Sequence, residues 1–334
     1  MVRYYLERLT QSIITLLAVV TLSFGMIRLM PGGPMEMMRA RLIRQNPDLG
    51  MDRINRLAEN YVGFQPDRPI HEQYIEYLTM LAQGDMGDSY EFGRPVVDIL
   101  AEALPWTAFV MSLSLLLMFV IAIALGALMA YREGSRFDTS WTVTSVTLTS
   151  VPYYVAAILL VYVFGYQLGW LPTGGRVAHT AEAGLNGEFL VSAIRHAVLP
   201  VASFVITGFG ALAVAMRGNS IQVLGEDYMR VARLRGLSER RISFRYVARN
   251  AILPMWTSFL IAIGAMFGGS VILEEIFSYP GVGYYMLQAI EMRDMPLMMG
   301  AFLVITIGII IGVLVADLTY GMLDPRASRG GGAQ

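Results

Sequence analysis

Six stretches of this chain are long and apolar enough to cross a bilayer: residues 10–29, 105–130, 139–168, 197–216, 254–273 and 296–318. A helix rises about 1.5 Å per residue and a hydrocarbon core is about 30 Å thick, so about 20 apolar residues suffice for one crossing. The chain therefore reads as an all-α polytopic membrane protein with six transmembrane helices. Composition agrees: 334 residues with 55% hydrophobic and 15% charged side chains are too apolar for an ordinary soluble domain.

The first run follows Arg3 and Arg8 and ends in Met30-Pro31-Gly32-Gly33-Pro34, with no small-residue cleavage site. It reads as an uncleaved span rather than a signal peptide, so residues 1–30 form the N-terminal segment and first helix. Residues 31–104 turn polar, with helix-like patches near 38–42, 54–61 and 74–81, and read as an extracytoplasmic domain. Pro105 is expected to open the second span, with Trp106 at the interface. Tyr131-Arg132-Glu133-Gly134-Ser135-Arg136 is the inner turn, and Pro152 is expected to kink the third span before Trp170 marks its outer end. The Ser and Thr residues of that span (Thr142, Thr144, Ser145, Thr147, Thr149, Ser150) either line a wet path or bond back to helix carbonyls, the second being the reading favoured here. Residues 171–195 are expected as an outer loop, and Pro254 as the start of span five.

Gly264 with Gly268, and Gly308 with Gly312, are small-xxx-small patterns that permit close helix approach. Residues 105–320 thus form a five-helix core, and residues 321–334 a cytoplasmic tail with a glycine-rich, disordered end. Six crossings put both termini in the cytoplasm.

One inner segment, residues 217–253, differs from the rest. Between Arg217 and Pro254 there are eight arginines against Glu226, Asp227 and Glu239, which places it on the cytoplasmic side. Leu224, Tyr228, Val231 and Leu234 recur at helical spacing and predict a short amphipathic helix. Gly236 is its expected stop, because glycine takes positive φ cheaply, and Ser238 is placed to cap a following helix. A charged loop that only anchors two spans to anionic headgroups is the plainer reading. Length and turn chemistry favour a shaped knob.

Other chemistries are poorly served. There is no cysteine, and His71, His179 and His196 lack ligand spacing, so no structural metal is expected. Every basic residue is arginine, and a Walker A phosphate loop needs a lysine. No His-Glu-x-x-His motif supports an intramembrane protease, the charge pattern does not point to nucleic acid, and no repeated halves or buried proton relay mark a self-contained secondary transporter or channel. Asp317, near the inner end of span six, is the one intramembrane acid noted, as a candidate partner for an arginine.

The segment resembles the cytoplasmic loop of the membrane-spanning permease subunits of ATP-binding-cassette importers, in the branch for dipeptides, oligopeptides and nickel. That family's Glu-Ala-Ala, three residues, Gly signature corresponds to Arg230-Val231-Ala232 and Gly236, and its Ile-x-Leu-Pro to Ile252-Leu253-Pro254. Glu226-Asp227-Tyr228, Ala232-Arg233 and Gly236-Leu237-Ser238-Glu239-Arg240-Arg241 follow the peptide version. Outside the loop, Arg28-Leu29-Met30-Pro31-Gly32, Gly84-Asp85-Met86-Gly87-Asp88-Ser89, Leu168-Gly169-Trp170-Leu171-Pro172, residues 274–283 and Leu323-Asp324-Pro325-Arg326 occur in the family's order. Gly33, Leu234 and Arg235 depart from its usual residues.

The resemblance implies a type I importer permease fold in a prokaryotic inner membrane, without enzymatic activity of its own. It implies a coupling helix made by Glu226, Asp227, Tyr228, Ala232, Arg233, Arg235, Gly236 and Leu237. The implied partners are a second homologous permease, two ATPase subunits that use ATP and Mg, an extracytoplasmic solute-binding protein and membrane lipid, with no cofactor on this chain. The implied cargo is an oligopeptide or dipeptide, the alternatives being oligosaccharides or nickel chelates.

Overall fold

The structure is a computed structural model that describes residues 2–29, 34–62, 69–178, 180–182, 184, 186–237, 248–266 and 271–323. Among these, helix accounts for nearly all regular structure, in two units that are each internally compact.

The first unit comprises residues 1–105 and 281–310. It contains α1 (Val2–Leu29), α2 (Pro34–Gln45), α3 (Met51–Val62), α4 (Ile70–Ala82), the start of α5 (Val96–Tyr131), α12 (Val282–Met292) and the start of α13 (Met295–Leu323). Three of the helices, α2, α3 and α4, contain the patches expected in the polar segment. Met35, Met38 and Leu42 of α2 pack on Ile54 and Ala58 of α3. Phe24 of α1 lies between Tyr74 and Tyr77 of α4, at ring separations of 5.3 and 5.7 Å. Burial, with Tyr74 beside it, pushes the Tyr77 hydroxyl up to about 12.

Asp294 ties this unit together. Its carboxylate accepts from Ser89 Oγ at 2.5 Å, from the Glu91 amide at 2.9 Å and from the Leu297 amide at 3.2 Å, so one buried acid caps α13 and fixes a distant loop.

The second unit comprises residues 106–280 and 311–334. Here α5 continues and is followed by α6 (Arg136–Thr149), α7 (Tyr153–Leu160) with a π-helical extension (Val161–Gln167), α8 (Gly187–Leu224), α9 (Asp227–Leu234), α10 (Ala248–Met266) and α11 (Val271–Ile276). Glycines let its helices touch at backbone distance. A Cβ on Gly126 of α5 would strike the Ala213 carbonyl of α8 and come within 2.7 Å of Met216 Cβ. One on Gly210 of α8 would strike the Ser145 carbonyl of α6. Where lipid offers no drive to bury apolar groups, such close approach is what favours helix association.

Leu6–Gly25, Val96–Tyr131, Gly187–Leu224 and Met295–Val315 are each long and apolar enough to cross a membrane, and Arg136–Thr149 with Tyr153–Gln167 makes a fifth candidate if counted as one broken span. The expected run at 254–273 is helical to Met266, and residues 267–270 lie outside the described set.

Four expectations need correction. Pro105 does not open a helix: α5 begins at Val96, because Val96, Ile99, Leu100 and Ala103 recur at helical spacing and bury against Val282, Ala289, Leu297 and Ala301. Pro254 likewise falls inside α10. The outer loop at 171–195 ends early, since Asn186 accepts the Phe189 amide at 2.7 Å and starts α8 at Gly187, with Pro200 in its interior. At Pro152 the chain breaks rather than kinks, the two helices meeting at 91°. Proline lacks the N–H to continue the ladder, and it turns the preceding residue away from the helical region. Of the hydroxyls in that stretch, Ser150 bonds back to the Val146 carbonyl at 2.8 Å, whereas Ser145 Oγ is buried without a partner.

Candidate functional site

The basic segment begins on α8. Arg217 makes a two-pronged ion pair with Asp138 of α6, Nε to Oδ1 at 2.6 Å and Nη2 to Oδ2 at 2.8 Å. Asp138 is buried, and its Oδ2 also accepts from the Gly134 amide at 3.0 Å, while Ser135 Oγ accepts from the Asp138 amide at 3.2 Å. The turn after α5 is thus clamped to α8 toward the C-terminal end of that helix. A planar guanidinium meeting a carboxylate in this way fixes angle as well as distance. Near the same end, Met216 packs with Leu115, Phe119, Ala251 and Met255, joining α5, α8 and α10.

Past Leu224 the chain turns at Gly225 and Glu226 into α9, Asp227–Leu234, whose first-turn Asp227 suits the positive end of the helix dipole. Met229 is fully buried and Ala232 nearly so, seated against Val223, Leu224 and Leu237. The helix stops as expected: Gly236 has φ of +69°, and the Leu237 amide donates back to the Ala232 carbonyl at 3.3 Å. That is a Schellman closure, completed by apolar contact between Leu237 and the same turn.

The helix α9 carries apolar residues on two faces. Val231 and Leu234 point away from the chain's own core, Leu234 being 82% exposed, while Met229 and Ala232 face inward. A helix this short with apolar residues on two sides satisfies only one of them at home, and the periodic pattern does not say which. Of the other expected site residues, Glu226, Asp227 and Arg235 are exposed, Ala232 is buried and Leu237 is half-buried. Tyr228 and Arg233 belong to the backbone of α9, but their side chains lie outside the described set. So do Ser238, the rest of the segment to residue 247, the side chain of Asp317, and the chain beyond residue 323.

The turn thus brings Ala232, Gly236 and Leu237 together, with Glu226 and Asp227 at the other end of α9. Sequence reading missed Met229 and Asp138. The Ser135-x-x-Asp138 spacing, a helix-start signature, was the available signal for the second.

Several bilayer-length helices, with a short helix that turns an apolar stripe outward from a basic loop, describe a polytopic membrane protein. The chain belongs to the family of binding-protein-dependent transport system inner membrane components, which it matches over residues 122–329. Similar proteins include the oligopeptide transport system permease protein AppB of Bacillus subtilis, 34% identical over 98% of this chain and 99% of that protein. The di/tripeptide transport system permease protein DppB of Pseudomonas aeruginosa is 31% identical over 98% of each chain. The glutathione transport system permease protein GsiC of Salmonella typhimurium is 31% identical over 97% of this chain and 98% of that protein.

Proposed function

We propose that this chain forms one half of the translocation path of an ATP-driven peptide importer. Six transmembrane helices with both termini in the cytoplasm place residues 217–253 on the inner face of the prokaryotic membrane. A second homologous permease supplies the other half, an extracytoplasmic solute-binding protein delivers the peptide, and two separate ATPase subunits bind ATP and Mg. This chain carries no cofactor and does not hydrolyse ATP.

The observation that carries the reading is the outward stripe of Val231 and Leu234 on α9. In the importer such a stripe enters a groove on the ATPase, with Tyr228 beside it and Arg233 and Arg235 supplying polar contacts. Ala232, Gly236 and Leu237 hold the helix to its own chain. The Arg217–Asp138 clamp supports this role, because movement of α9 would then reach α6 and α8 as one body. The relatives named for oligopeptides, di- and tripeptides and glutathione support a peptide as cargo.

Co-purification and coupled transport test the reading. Leu234→Glu should release the ATPase subunits from an otherwise intact permease. Gly236→Pro should leave ATPase activity that no longer follows substrate delivery. Tight, coupled transport by both variants, or solute movement in vesicles holding this chain alone, would refute it.

A further inference from the structure

Within the second unit, a cavity of about 490 Å³ lies between residues 169–172 and the first turns of α8, lined by Trp170, Glu188, Ser192, Arg195 and His196 among others. Among the described residues that line it, the charged side chains are Glu188 and Arg195. They are seven residues apart, so they share one face of α8 about 10.5 Å apart along its axis, within converging reach of two long side chains. Both are exposed. Arg195 Nη2 donates to the Trp170 carbonyl at 3.3 Å, which uses one of its five N–H groups and holds the guanidinium beside another lining residue. Glu188 has no ion pair among the described residues. The floor is fixed: Ser192 Oγ accepts the Ala178 amide at 2.8 Å, and His196 Nδ1 lies 2.7 Å from the Ser192 carbonyl.

What surrounds the cavity indicates the occupant. Leu190, Val191, Ile194 and Val198 form an exposed aliphatic stripe along α8. Tyr162, Tyr166 and Trp170 are exposed on the neighbouring π-helical extension and the turn after it. Tyrosine and tryptophan with one wet end and one apolar end mark the depth of lipid headgroups. An acid and a base at that depth, above an aliphatic wall, match an amphiphile carrying a phosphate, an amine and acyl chains.

We propose that this cavity binds the headgroup of a phosphatidylethanolamine-type lipid, with Arg195 holding the phosphodiester and Glu188 the primary ammonium. The ammonium has N–H groups for the carboxylate to accept, which a choline headgroup lacks. An anionic glycerol headgroup satisfies Arg195 but offers Glu188 no cation.

The test is native mass spectrometry of the full chain, purified with its natural companions and exposed to equal amounts of phosphatidylethanolamine, phosphatidylcholine and phosphatidylglycerol. The natural chain should retain the ethanolamine lipid over the choline lipid roughly tenfold, the worth of one charge-assisted contact. Arg195→Ala should abolish retention of both ethanolamine and glycerol lipids. Glu188→Gln, a solvent-exposed change that leaves the fold intact, should shift preference toward phosphatidylglycerol. Free phosphoethanolamine should not displace the lipid. Equal retention of all three lipids, ethanolamine preference surviving either substitution, displacement by the free headgroup, or no retained lipid because another subunit covers the cavity would each overturn the proposal.

Discussion

Two neighbouring helices of the second unit, α8 and α9, are held in opposite ways. The longer, α8, is seated over most of its length. Leu199, Val201, Val205, Phe209, Ala213 and Met216 are buried, and Gly126 and Gly210 bring it to backbone contact with α5 and α6. By contrast, α9 has eight residues, fewer than the roughly 12 to 15 an isolated helix needs in water, and among its described side chains Met229 and Ala232 anchor it. The closure at Gly236 adds to that order. Helices pinned by backbone contact tolerate little; a helix pinned by two side chains is free to take its final seat from something else. The exposed stripe of Val231 and Leu234 shows which side is left for that.

Breaking the α8 seat should have the largest effect. Gly210→Leu drives a side chain into the Ser145 carbonyl, where no flexible neighbour yields, and should cost more than about 3 kcal/mol, read as loss of folded protein in detergent.

Cutting the clamp comes next. Arg217→Met leaves the buried Asp138 carboxylate without its cation, a loss of about 3 kcal/mol in melting experiments. Arg217→Met combined with Asp138→Leu should recover much of that stability, because the uncompensated charge is gone, yet transport should stay impaired if the clamp also carries motion.

On α9 the expected costs are smaller. Met229→Ala empties its seat for about 2 kcal/mol, and because the helix is peripheral, the loss should appear as faster amide exchange over residues 226–237 and not as a lower melting temperature of the bundle. Should the whole bundle melt early instead, the contrast between the two helices is mistaken. Leu234→Ser, at an exposed site, should change stability by less than about 0.5 kcal/mol while weakening ATPase binding. This separation of stability from partner binding is the sharpest form of the comparison.

Much of the architecture was legible beforehand, for local reasons. Bilayer-length apolar runs demand helices wherever they are placed. The stop at Gly236 was readable because positive φ is a property of one residue, and an interruption at Pro152 because a missing N–H is equally local, although a kink was expected there and not a break. Helix beginnings were less legible. The residues from Val96 to Leu104 include Asp98 and Glu102 and look like a polar flank, yet their buried face is set by α12 and α13. The same holds at Gly187, where the start depends on the Asn186 cap rather than on hydropathy.

By itself, then, the sequence determined an all-helical membrane chain, an interruption at Pro152, and a short basic-loop helix ending at glycine. Tertiary structure decided the 91° angle at Pro152, the pairing of Asp138 with Arg217 across 79 positions, and which face of α9 is turned outward. The physical reason is range. Backbone propensity and hydrophobic length act within a few residues, whereas the choice among several apolar faces or several arginines depends on what other helices bring to the same place.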